Sequence, residues 1–240
     1  MKEQFNQIIK SEDLKEITVD LVEKVLDNNI GDALIKEIPI LKSLIAARNI
    51  YSSYTDRIFL KKAMHVLLEL GDTNWNERIE LTIDLDDENS SGAEKILMAI
   101  DNLETLEKCK VFGRLCKLKA VGQIDLDEFK RLTKLIQDAY LDDLELLPIL
   151  SDKLKEKEKQ KNSYTYLNDI FIDQFYPLLS LGLMYQEQSE QKPIEKVEPT
   201  SYKDRPTYYK GGEVEMLFYI SDLGNLLLSF YDNLFVKKEE

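Results

Sequence analysis

Val121-Gly122-Gln123-Ile124-Asp125-Leu126-Asp127-Glu128-Phe129 is the stretch from which the fold can be read. A glycine after an apolar, helix-spaced run is the residue that best tolerates the left-handed backbone ending a helix. Three residues on, Asp125 stands where an N-cap belongs, and Glu128 at the third helical position completes a capping box. Ile124 before the cap and Phe129 at the fourth helical position make a hydrophobic staple. The stretch therefore predicts helix, tight turn, helix.

The same grammar extends in both directions. Upstream, Leu106, Cys109, Phe112, Leu115, Cys116 and Leu118 recur every three or four residues; downstream, Leu132, Leu135, Ile136, Ala139 and Tyr140 do the same. Helical spacing also runs through residues 12–27 and through 58–70, where Gly71 provides a stop. A further helix is expected from a cap at Thr73, with Trp75, Ile79 and Ile83 as its apolar residues. Ile96, Leu97, Ile100 and Leu103 mark another, and residues 84–92 read as a loop.

Strand-like alternation occurs only around Met184 and over residues 214–220. Between them, residues 187–212 hold Pro193, Pro199, Pro206, Gly211 and Gly212 and read as a long loop. Ser221 or Asp222 is expected to cap a last helix through Leu223, Leu226, Leu227 and Phe230. The fold class expected is mainly α: a helical N-terminal domain over residues 1–155, a charged linker or helix end at 156–164, and a winged-helix-like domain at 165–240. That second domain carries one small β-hairpin and an enlarged wing loop at 187–212.

Composition narrows the function. The 240 residues include 45 acidic and 32 basic side chains, a net charge of -13, which argues against coating nucleic acid by bulk charge. Nine glycines and six prolines are too few for a turn-dense β-sandwich. Cys109 and Cys116 lie two helical turns apart, about 10 Å, farther than a disulfide spans. They read as buried apolar groups of a reducing compartment, and the localisation expected is cytoplasmic. The N-terminus lacks a signal-peptide core, and the apolar stretch 30–47 is broken by Asp32, Lys36, Glu37 and Lys42.

Catalytic, cofactor and metal residues are not assigned. His65 is the sole histidine and lies among Met64, Val66 and Leu68. The acidic loop at 84–94 fails the calcium-loop register, because position 6 is Asn89 and position 12 is Lys95. Two basic clusters stand out. Residues 36–62 hold six basic side chains against Glu37 and Asp56, a local excess of +4. Residues 108–119 hold Lys108, Lys110, Arg114, Lys117 and Lys119. The first cluster sits beside Ile38, Ile40, Leu41 and Leu44 with two tyrosines, a mixture suited to an interface. Its candidate partner-binding residues are Lys42, Arg48, Tyr51, Tyr54, Arg57, Lys61 and Lys62.

Two resemblances follow from quoted residues. Leu178-Leu179-Ser180-Leu181-Gly182-Leu183-Met184, followed by Phe218-Tyr219-Ile220-Ser221-Asp222-Leu223-Gly224-Asn225-Leu226-Leu227, resembles the second half of a winged helix of the MarR or PadR type. That family implies a helix, a two-stranded wing and a closing helix; Ser221 stands here for the usual threonine. Ile38-Pro39-Ile40-Leu41-Lys42-Ser43-Leu44 and Asp56-Arg57-Ile58-Phe59-Leu60-Lys61-Lys62 resemble helical bacterial proteins found among prophage and phage-defence genes, including abortive-infection proteins.

The function expected is a non-enzymatic protein-interaction or regulatory protein with a protein partner. One alternative is an abortive-infection effector at an anionic membrane surface, contacting it through residues 30–47. The other is a winged-helix transcription regulator. Charge disfavours nucleic acid as the partner: residues 167–184 carry no Lys or Arg, and residues 165–240 hold 7 basic against 13 acidic side chains.

Overall fold

A computed structural model describes residues 2–16, 18–19, 54–159, 176–188, 195–197, 208–210 and 216–236. The first helices are α1 (Lys2–Ile9), α2 (Tyr54–Gly71), α3 (Trp75–Leu85) and α4 (Gly92–Asn102). They are followed by α5 (Leu106–Ala120), α6 (Leu126–Asp138), α7 (Leu141–Leu144), α8 (Leu146–Lys159) and α9 (Tyr176–Ser180). Strands β1 (Met184–Gln188), β2 (Glu195–Val197), β3 (Tyr208–Lys210) and β4 (Met216–Ile220) lead to α10 (Asp222–Ser229) and α11 (Tyr231–Phe235). The protein is mainly α with a small antiparallel β element, as its sequence predicts. It sorts into two compact units: Met1–Leu141 with Phe230–Glu240, and Asp142–Ser229.

The first unit is built around α2 and α5, which pack on each other more extensively than any other pair of described elements. Gly113 permits this closeness: a Cβ there would lie 2.9 Å from the Glu69 Cβ and 3.1 Å from the Val66 Cα. The α5–α6 hairpin is the one the sequence specifies. Gly122 turns the chain at φ 73°. Asp125 accepts the Glu128 N–H at 2.8 Å, and Glu128 accepts the Asp125 N–H at 2.9 Å. Ile124 and Phe129 are both buried, and the Phe129 ring lies 6.2 Å from that of Phe112. Helix α1 buries Phe5, Ile8 and Ile9 and packs on α3 and α4.

Helix α3 departs from expectation. Its cap is Asn74 rather than Thr73, with a capping box to Glu77; the Thr73 hydroxyl instead donates to the Leu70 carbonyl at 2.7 Å. Its buried residues are Arg78, Leu81, Thr82 and Leu85. Trp75 is 41% exposed and Ile83 58% exposed, so the helix is rotated with two of the three apolar residues that mark it in the sequence toward solvent. Arg78, only 2% exposed, explains the rotation. Its Nε donates to the Ile9 carbonyl at 2.6 Å, Nη2 to the Ser11 carbonyl, and Nη1 to the carbonyls of Thr73 and Leu70. These carbonyls lie at and just beyond the C-terminal ends of α1 and α2, where the helix dipole is negative and backbone acceptors lack partners. A forked guanidinium serves both ends at once.

In the second unit, α9 ends at Gly182, φ 71°, and β1 pairs antiparallel with β4 from Met184↔Ile220 to Gln188↔Met216. Tyr185 and Tyr219 stack across the pair at 5.2 Å. The Ser221 hydroxyl donates to the Gly182 carbonyl at 2.6 Å and accepts the Gly224 N–H at 3.0 Å, tying the start of α10 back to the end of α9. Within the stretch expected to be loop, β2 pairs with β3, Glu195↔Lys210 to Val197↔Tyr208. Val197, Tyr208 and Tyr209 favour strands, but three-residue strands between prolines are too short to show alternation. The last helix is also two: α10 stops at Ser229, and α11 belongs to the first unit.

Candidate functional site

The basic cluster of residues 108–119 is mostly built into the fold. Lys108 is buried, and its Nζ donates to the Gln137 carbonyl in the last turn of α6 at 2.9 Å, a cation at a helix C-terminus. Arg114 pairs with Glu69 at 3.2 Å and donates to the Leu234 carbonyl at 2.9 Å. Lys117 and Lys15 flank Asp72 at 3.0 and 3.1 Å. Burial alone would raise the Asp72 carboxyl, but the hydrogen bonds from Lys117 and Lys15 outweigh it and hold it below its ordinary value. Lys119 pairs with Asp84. Arg114, Lys117, Glu69 and Asp72 thus line a polar cleft of about 420 Å³ with charges already matched.

The acidic loop after α3 is equally occupied. The Asp87 carboxylate accepts the backbone N–H groups of Asn89 and Ser90, each at 2.8 Å, and pairs with Lys95. The Lys95 contact, then the two N–H groups, hold its carboxyl well below the usual range. Asp86 accepts the Gly92 N–H. These carboxylates shape a turn and the start of α4. Among the described residues no group of three or more His, Cys, Asp and Glu side chains could hold a metal ion.

The remaining reactive groups are inside. His65 is buried on α2; desolvation, then the charge of Lys110, pushes its pKa below the ordinary 6.5. Cys109 and Cys116 are buried free thiols. Burial pushes the Cys109 thiol up to about 12 and the Cys116 thiol still higher, so neither supplies a thiolate near neutrality.

Of the partner-binding residues expected from sequence, Lys42, Arg48 and Tyr51 lie outside the described residues, as does the 30–47 stretch. Tyr54 opens α2. Arg57 is exposed and Lys61 half-buried on the same helix. Lys62 has a structural contact: its Nζ donates to the Leu103 carbonyl where α4 ends.

The outer face of α3 carries the apolar residues by which the sequence marks this helix. Trp75, Ile79 and Ile83 lie at i, i+4 and i+8, one above the other on one side of the helix. Glu80, also exposed, adds negative charge to the solvent side. Two stripes compete on this helix. The buried one, Arg78, Leu81, Thr82 and Leu85, follows i, i+3, i+4, i+7, the commoner core pattern. That spacing was the available signal, obscured by a charged residue at its first position.

No protein family, curated protein or solved structure matches this chain. Among the described residues no helix is long and apolar enough to cross a membrane.

Proposed function

We propose that this chain is a non-enzymatic protein-interaction or regulatory protein, and that it serves bacterial phage defence or a mobile element. The observation that carries this reading is the Trp75–Ile79–Ile83 row on α3, exposed at Trp75 and Ile83 and half-buried at Ile79 between them. A row at i, i+4 and i+8 is how a helix presents anchors to an apolar groove or to a second helix, and a tryptophan is the side chain most often found at the energetic centre of such contacts. Glu80 beside the row, on a chain of net charge -13, favours a partner surface that is basic around its apolar centre. In this reading Arg57 and Lys61 on α2 belong to a separate, basic contact. The winged-helix-like unit is a second module for protein rather than for DNA.

A photo-crosslinking residue at Ile83, in the cells that make the protein, tests the reading, with Glu88 in the neighbouring loop as the control position. A discrete protein adduct from position 83 and none from position 88 is expected. Equal or absent adducts at both would overturn it. The paired reversal Arg57→Glu with Lys61→Glu tests the basic contact: retained folding with lost biological activity supports it, and unchanged activity removes it.

A further inference from the structure

Helices α4, α5 and α6 and the end of α3 enclose a half-open cavity of about 180 Å³ whose surface is almost wholly apolar. Its walls are Leu85, Ile96, Ala99, Phe112 and Phe129. An apolar cavity of roughly 150 Å³ is enough to hold benzene, so this one accommodates an apolar body of about six to eight carbons. The rest of the lining has another character. Lys95, Lys130 and Lys134 contribute to it, and long lysine stems run along apolar surface while their ammonium groups stay in water. Lys95 pairs with Asp87 and Lys134 with Asp138. Lys130 is exposed and has no carboxylate within ion-pair distance among the described residues. Thr133 also lines the cavity, and its buried Oγ1 has no hydrogen-bond partner among the described residues.

An apolar chamber, one unpaired ammonium and one idle hydroxyl form a complementary set. On a chain of net charge -13, anions are repelled in general, so a carboxylate is held only where a cation is local and uncommitted. We infer that this cavity binds a small amphipathic carboxylate, with its apolar body against Phe112 and Phe129 and its carboxylate at Lys130. The site is independent of the outer face of α3. It would make the protein a sensor or carrier of a medium-chain or aryl acid.

The experiment titrates the full-length protein with octanoate, 1-octanol and octylamine, by calorimetry and by thermal shift. Octanoate is expected to bind saturably and raise the melting temperature, with 1-octanol roughly tenfold weaker because it lacks the charged contact. Octylamine is expected not to bind. Lys130→Glu, at an exposed position that leaves the fold intact, should lower octanoate affinity by roughly tenfold or more and leave 1-octanol unchanged. Ala99→Phe, which fills the chamber, should abolish both. No saturable binding of octanoate at millimolar concentration overturns the inference. So does equal binding of octanoate and 1-octanol, or a Lys130→Glu variant that binds octanoate normally.

Discussion

The turn between α5 and α6 and the helix α3 are both fixed by polar side chains bonded to backbone, but over very different distances along the chain. In the turn, Asp125 and Glu128 reach backbone groups three residues away. Arg78 reaches carbonyls five and eight residues away in one direction of packing, and 67 and 69 residues away in the other. The first device is local and specifies its own helix. The second exists only once α1 and α2 have ended beside α3, and it decides which side of α3 faces inward. A capping box therefore reports a boundary, whereas a buried arginine reports an assembly.

The largest expected effect breaks the second device. Arg78→Met keeps much of the side-chain volume but takes the guanidinium's donors from the carbonyls of Ile9, Ser11 and Thr73, whereas that of Leu70 keeps the Thr73 hydroxyl and N–H. Leaving a buried acceptor unpaired costs about 1–3 kcal/mol for each group, a loss measurable by denaturant unfolding. Arg78→Lys keeps the charge but replaces a planar fork by a point donor, so it should fall between wild type and Arg78→Met. An Arg78→Met variant as stable as wild type would reduce Arg78 to a bystander and erase the contrast with the turn.

This contrast also explains how far the sequence could be read. Gly122, Asp125 and Glu128 announced their hairpin because every partner lies within a few residues. The spacing of Leu106 to Leu118 likewise named a real helix, and its cysteines are buried as read. Helix α3 was legible but its inward face was not, because Trp75, Ile79 and Ile83 outweigh Leu81 and Leu85 in hydrophobicity. The carbonyls that make Arg78 an inward residue include those of Ile9 and Ser11, 69 and 67 residues away. The lysines of 108–119 look like a binding patch in one dimension. Their partners Asp72, Asp84 and the Gln137 carbonyl arrive from other helices. The β2–β3 pair was missed because three residues are too few for a period of two.

Intermediate effects compare the two caps directly. Asp125→Ala and Asn74→Ala each remove one capping box and should each cost about 1 kcal/mol, seen as a drop in melting temperature of a few degrees. Similar losses would show that the two helix starts are equivalent and that the difference between the regions lies in Arg78 alone. A markedly larger loss for Asn74→Ala would mean that the cap also positions Arg78.

The smallest effect lies on the outer face. Ile83→Ser removes an apolar side chain that is 58% exposed, and such surface changes usually stay within about 0.5 kcal/mol. The same substitution at the buried Leu81 should cost several times more. An Ile83→Ser variant as damaged as Leu81→Ser would place Ile83 in a core.

Trp75 is the only tryptophan in the chain, so its fluorescence reads the orientation of α3 without interference. With Arg78 inward and Trp75 outward, the folded protein should emit at long wavelength. Acrylamide should quench that emission to a large fraction of the quenching seen after denaturation. A blue-shifted emission that acrylamide barely quenches, moving to the red only on unfolding, would put Trp75 inside and contradict the orientation of α3 on which the interaction surface depends.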